Sequence, residues 1–161
     1  MCIRDSVCTG PFSSLEDLDV YLPDFEFAKK RGLKLLCANP DIIVDRGSVR
    51  EWCAGALAKM YTDLGGESLY FGKPFKPIYD LARRRLEASG VQIKNNRILA
   101  IGDGITTDIL GAEQEGIDSL FITGGLAALE TGTKEQPDQD LLKHYLDQQK
   151  LSPAYSIGFL R

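Results

Sequence analysis

The chain has 161 residues, 43% of them apolar and 26% charged, with a formal charge of −4. That balance belongs to a globular protein able to bury a core and excludes a disordered chain. It leaves no basic stripe for nucleic acid, and no apolar run reaches the length of a membrane span. Cys2, Cys8, Cys37 and Cys53 make no CxxC pair and no zinc-site spacing. Two of them sit in apolar settings and read as buried thiols. The N-terminus lacks the apolar core of a secretory leader, so a reducing cytoplasm is the expected compartment.

Met1–Ser6 fits nothing that follows and reads as a start foreign to the rest of the chain. From Val7 onward a short strand end and a Thr9-Gly10-Pro11 turn lead to Ser13 and Glu16, which fit a capping box. The box opens a helix expected to run to Arg31, with Gly32 closing it. Leu33–Cys37 is the next strand, and Ala38-Asn39-Pro40-Asp41 turns out of it, with Asn39 held extended by the proline after it. After apolar Ile42–Val44 and a loop over Asp45–Ser48, Val49–Leu64 reads as a helix. Its apolar stripe is Trp52, Ala56, Leu57 and Met60. Trp52 and Cys53 are expected in the core.

Leu69-Tyr70-Phe71 is a short strand broken by Gly72 and followed at once by Lys73 and Pro74. An amphipathic helix over Ile78–Ser89 carries Arg83, Arg84 and Arg85 as a solvated face. Arg97–Gly102 then reads as a buried parallel strand. The chain turns through Asp103-Gly104, and Thr106 or Thr107 is placed to cap a helix that ends at Gly116. Asp103 thus stands at the carboxyl end of a strand, the edge where open α/β sheets place their ligands. Asp108, five residues on, can point back at the same crevice. Two carboxylates with no cation between them suit a hard divalent metal with oxygen ligands, or else they serve only the turn and the helix N-terminus. Lys73, about one βα unit earlier, can hold a phosphate at that edge, or be an ordinary solvated lysine. Ser119–Ile122 forms another strand, followed by Thr123-Gly124-Gly125, a short Leu126–Leu129 helix and a polar loop. A last helix over Asp140–Gln149 carries His144 on its surface, and Ala154–Ile157 adds an edge strand.

Gly72-Lys73-Pro74, a helix, a strand and Gly102-Asp103-x-x-x-x-Asp108 together resemble the third and fourth motifs of the haloacid-dehalogenase-like (HAD) phosphohydrolase superfamily. Cys37-Ala38-Asn39-Pro40-Asp41, Gly47, Gly55-Ala56-Leu57-Ala58 and Gly72-Lys73-Pro74 resemble more narrowly its class IIA. That class holds the relatives of the NagD sugar-phosphate and pyridoxal-phosphate phosphatases. The resemblance implies an α/β fold: residues 71–161 as the C-terminal half of a doubly wound, Rossmann-like core, and residues 7–70 as the second half of an α/β cap. It also implies Mg2+ at Asp103 and Asp108, a phosphate at Lys73, and a small phosphorylated metabolite as substrate. Neither nucleic acid nor membrane is expected as a partner; a homo-oligomer is, because a chain cut inside the cap leaves a sheet edge and apolar faces uncovered. Asn39 and Asp41 would lie on a cap turn and shape the substrate pocket, unless both simply bond their own backbone in an Asx-type turn.

The superfamily's nucleophile is the first Asp of an Asp-x-Asp that directly follows a strand. Asp17-Leu18-Asp19 has the form but follows Ser-Ser-Leu-Glu, a helix start, and reads as a solvated pair. The nucleophile Asp is therefore absent, and no Ser/Thr phosphate station is visible. A chain beginning inside the cap would lack both, and alone it is expected to be inactive. Two alternatives stand beside this reading. One is a non-catalytic phosphate- or metal-binding domain on the same scaffold. The other is an unrelated doubly wound, nucleotide-dependent enzyme, against which Gly102-Asp103-Gly104 lacks the dinucleotide glycine spacing.

Overall fold

The computed structural model describes residues 5–13, 16–47 and 49–160. Of the opening hexapeptide, Met1–Arg4 lie outside the described residues, as do Ser14 and Leu15 of the expected capping box. The chain divides into two compact units, residues 1–78 and 79–161.

The first unit is built on three parallel strands. Strand β1 (Asp5–Cys8) leads through α1 (Leu22–Lys30) to β2 (Lys34–Cys37). A hairpin of β3 (Ile43–Arg46) and β4 (Val49–Trp52) follows, then α2 (Ala54–Asp63) and β5 (Glu67–Tyr70). The sheet order is β1-β2-β5, in a register that aligns Cys8, Cys37 and Tyr70. Parallel neighbours cannot be joined by a tight turn, so each connection must cross back over the sheet, and α1 and α2 do so. Phe25 from α1, Leu35 and Cys37 from β2, and Ala54, Leu57, Ala58 and Tyr61 from α2 form the core. The buried Tyr61 donates its hydroxyl to the Leu33 carbonyl at 2.6 Å. Burial pushes the Cys37 thiol up to about 11, as expected of a structural rather than a reactive cysteine.

Two expectations for this unit are corrected. The helix expected from Ser13 begins only at Leu22, because Pro23 is confined to a first turn, where its missing N–H is not needed. Upstream, the Ser13 N–H donates to Glu16 Oε1 at 3.2 Å, and Asp17 caps a separate 3-10 turn over Leu18–Tyr21 by accepting the Asp19 N–H at 3.0 Å. Asp17 and Asp19 are both exposed there, and the described residues between β1 and Asp17 are not strand. The second correction is larger: Val49–Trp52 is a strand, not the start of a helix. Val49 and Trp52 suit a pleated surface, and Gly47 at φ 65° closes the hairpin that pairs them with Arg46 and Ile43. The helix starts at Ala54, and Trp52 is 41% exposed instead of lying in the core.

The second unit repeats the logic. After α3 (Lys76–Ala88), whose first residues belong to the first unit, a 3-10 turn leads into β6 (Leu99–Gly102). A π-helical turn over Ile105–Ile109 runs into α4 (Leu110–Glu115), which Gly116 ends at φ 63°. Then come β7 (Asp118–Ile122), α5 (Gln139–Gln149) and β8 (Tyr155–Ile157). The sheet is parallel, in the order β6-β7-β8. Asp138 caps α5, accepting the N–H groups of Asp140 and Leu141. Ile105, Ile109, Phe121, Ala127, Leu142 and Leu151 make the core. The short helix expected over Leu126–Leu129 is instead a series of turns, wound by side-chain hydroxyls described below. The strand expected to be buried is an edge: Leu99 and Ile101, two residues apart and so on one face of β6, are 44% and 50% exposed.

Gly55 is where α2 presses on the 39–41 turn. A Cβ there would lie 2.0 Å from the Pro40 carbonyl oxygen, a backbone atom that cannot swing aside. Gly55→Ala is expected to destabilise the first unit by about 2–3 kcal/mol. Lys59→Ala, which breaks only an exposed pair with Asp63, should cost less than about 1 kcal/mol. Urea unfolding followed through Trp52, the sole tryptophan, measures both. Equal stability of Gly55→Ala and the parent would mean that the turn and α2 are not in contact.

Candidate functional site

In the first unit the informative turns follow β2 and β5, at the carboxyl edge of the sheet. The strand ladder continues into them, with the Ala38 N–H donating to the Cys8 carbonyl at 3.1 Å and the Phe71 N–H to the Cys37 carbonyl at 3.0 Å. Asn39 Oδ1 accepts the Asp41 N–H at 3.2 Å, so the Asx-type turn forms at Asn39. Gly72 lies against Pro40: a Cβ at residue 72 would fall 2.2 Å from Pro40 Cδ. The absence of a side chain therefore lets Gly72-Lys73-Pro74 settle beside Asn39-Pro40-Asp41. Tyr70 and Phe75, stacked at 4.5 Å, flank the turn, and Lys73 is exposed on it. The structure thus brings Asn39, Asp41 and Lys73 to one sheet edge.

In the second unit the corresponding edge carries Asp103 and Asp108. The expected threonine cap does not form, since the helical turn after Gly104 has no side-chain cap from Thr106 or Thr107. Instead the Asp108 carboxylate folds back, and its Oδ2 accepts the Gly104 N–H at 3.1 Å. The Gly104 carbonyl accepts the N–H groups of Asp108 at 2.7 Å and Ile109 at 3.2 Å, which makes the turn wider than an α-helical one. Asp108 is 9% exposed, and it fits only because residue 102 is glycine: a Cβ there would sit 2.1 Å from Asp108 Cγ.

Asp103 leans the other way, onto the loop that leaves β7. Its Oδ2 accepts the Leu126 N–H at 3.3 Å, and a Cβ on Gly125 would lie 2.0 Å from that oxygen. β6 and β7 are parallel neighbours, so their carboxyl ends open on the same side, and one loop can hold a side chain of the other. Tyr79 on α3 belongs to this surrounding as well. Burial chiefly raises its phenol above the usual range, and the negative charges of Asp108 and Glu115 add to the effect.

Gly125, Leu126 and Tyr79 carry no sign of a role at this site in the sequence pattern alone, beyond Thr123-Gly124-Gly125 being placed directly after a strand like the Asp103 turn. His144 is exposed on α5 with Gln148 beside it at 2.9 Å.

Among the described residues no three His, Cys, Asp or Glu side chains gather as a ready-made metal centre. The two carboxylates of the Asp103 turn nevertheless fit a hard cation. They offer oxygen donors only, at the carboxyl edge of a parallel sheet, which is the donor chemistry such a cation takes.

The HAD-hydrolase-like family model matches residues 70–148, which contain Lys73, Asp103 and Asp108. No curated protein sequence matches the chain. Among solved structures, a haloacid dehalogenase-like hydrolase from Brucella suis 1330 is 45% identical over 78% of this chain and 49% of its own, with a TM-score of 0.71. A "possible sugar phosphatase" of the HAD superfamily from Cytophaga hutchinsonii is 21% identical over 98% of this chain and 53% of its own, at a TM-score of 0.69. The p-nitrophenyl phosphatase from Archaeoglobus fulgidus is 18% identical over 96% and 53%, at 0.67. At those lower identities the last two show a shared fold. The chain spans about half the length of the solved structures it matches. The family match over residues 70–148, together with the 45% identity to the Brucella suis hydrolase, places the chain in the haloacid-dehalogenase-like hydrolase superfamily.

Proposed function

We propose that the protein is a magnesium-dependent phosphomonoester hydrolase acting on a small sugar phosphate or similar metabolite. The observation that carries this reading is the Asp103–Asp108 turn, where two carboxylates are held at the carboxyl edge of a parallel sheet. In this proposal residues 7–70 are part of a cap and residues 71–161 half of the core. The attacking carboxylate comes from a segment outside this sequence, and the 161 residues alone are inactive. The setting is cytoplasmic.

Asp103 and Asp108 would hold Mg2+, which when bound neutralises phosphate charge and stabilises the charge of the transferring group. The chain's own residues do the rest. Asp103 is kept in place by the Leu126 N–H, and Asp108 by the Gly104 N–H. Lys73, exposed on its turn, would supply a positive charge to the phosphoryl oxygens. Asn39 and Asp41, beside it, face the part of the substrate that is not phosphate.

In the protein with its preceding segment restored, Asp103→Asn should lower hydrolysis of p-nitrophenyl phosphate by about 100-fold or more. Unchanged activity with unchanged metal dependence would remove Asp103 from the site. Asn39→Ala or Asp41→Ala should reorder a panel of sugar and other metabolite phosphates while sparing p-nitrophenyl phosphate. An equal loss on every substrate would refute a role in substrate choice.

The 161-residue chain by itself is expected to self-associate through β6, an edge strand whose Leu99 and Ile101 are half-exposed. Sedimentation should show species above 17.8 kDa, and charged replacements at both positions should shift them toward the monomer. A monomeric parent chain would contradict this.

A further inference from the structure

We infer that Thr123, Thr131 and Thr133 are positioning residues for Asp103, acting through the loop that carries the Leu126 N–H. The inference rests on the reading of Asp103 as a cation ligand and extends it to residues that touch neither cation nor substrate. It starts from a buried cluster of hydroxyls that the core does not need. Thr123 and Thr131 are fully buried, and Thr133 is half-buried between them.

The three hydroxyls form one contiguous cluster between two backbone carbonyls. Thr131 Oγ1–H donates to the Ala127 carbonyl at 2.7 Å, Thr133 Oγ1–H to Thr123 Oγ1 at 2.8 Å, and Thr123 Oγ1–H to the Ile157 carbonyl at 3.3 Å, while Thr131 Oγ1 and Thr133 Oγ1 lie 2.7 Å apart. The Ala127 carbonyl also accepts the Thr131 N–H at 3.0 Å. The chain of hydroxyls thus joins β8, the end of β7 and the turns over residues 125–133. Backbone bonds run alongside it. The Thr123 N–H donates to the Ile157 carbonyl, the Gly124 N–H to the Gly158 carbonyl and the Ala128 N–H to the Gly125 carbonyl.

Gly125 and Leu126 lie between these two anchored ends. They are the residues that meet Asp103, one by close approach and one by donating its N–H. Gly124 is fixed from behind, because a Cβ there would come within 2.3 Å of the Phe159 ring. Without the hydroxyls, the turns would keep their backbone path but lose the bonds that set where the Leu126 N–H points. A buried hydroxyl network is rigid when complete and costly when broken, so it suits the holding of one carboxylate oxygen.

The test uses the full-length protein with Thr131→Val and Thr133→Val, each paired with its Ser variant, and with Asp103→Asn as reference. Two quantities are read: Mg2+ affinity by calorimetry, and exchange of the Leu126 amide by NMR against the amides of α5. The Val variants should weaken Mg2+ binding by about tenfold and speed Leu126 exchange by a similar factor, while α5 stays protected. The Ser variants should restore both, which a purely volumetric role would not. If Asp103→Asn weakens Mg2+ binding while the Val variants keep parental affinity and Leu126 protection, the site stands and the positioning role is overturned. If the parent takes no Mg2+, or Asp103→Asn binds it as tightly, the cation reading fails and takes this inference with it.

Discussion

Parallel strand pairing is the constraint on which the rest of this structure depends. A parallel ladder puts every strand's carboxyl end at one edge and sends each connection back across a face. In the first unit it aligns the turns after β2 and β5, and so sets Asn39, Asp41 and Lys73 side by side although more than thirty residues separate them in sequence. In the second it aligns the ends of β6 and β7, so that the loop after one strand can donate an N–H to the carboxylate after the other. Neither grouping needs a special motif beyond strand direction and register.

Close approach is the second constraint, and glycine answers it at the points where chemistry-bearing turns meet. Gly72 against Pro40, Gly102 against Asp108 and Gly125 against Asp103 would each place a Cβ about 2 Å from a neighbouring heavy atom. None of the three is required by a positive φ. Their role is the space they leave. The Gly-Lys-Pro and Gly-Asp patterns therefore carry packing information as well as chemistry. In each, the glycine admits the neighbour, and the residue after it is offered at the edge.

The places where sequence reasoning failed share a cause. Val49–Trp52 lies within a helical spacing of apolar residues, but the hairpin with Ile43–Arg46 satisfies its backbone through a partner that periodicity cannot see. Thr106 and Thr107 are sound cap residues by type, yet the Gly104 N–H is taken by Asp108 from one turn ahead. Leu126–Leu129 has helix-forming composition, but buried threonine hydroxyls wind it into turns. In the first case a contact to another element, and in the other two a side-chain bond to the backbone four residues away, replaced the local preference, which is weak by comparison.

The sequence by itself determined the alternation of strands and helices, the α/β class, and the residue types at Lys73, Asp103 and Asp108. These are local properties, set by apolar runs, by glycine and proline breaks, and by the chemistry of single side chains. The exposed Asp17 and Asp19 and the surface position of His144 were legible for the same reason. Only the tertiary structure decided what holds Asp103. The Leu126 N–H lies twenty-three residues away, and it is aimed by a threonine chain that ends on β8, a further thirty residues on. No periodicity encodes such a contact, because it exists only once three parallel strands have fixed where their loops emerge.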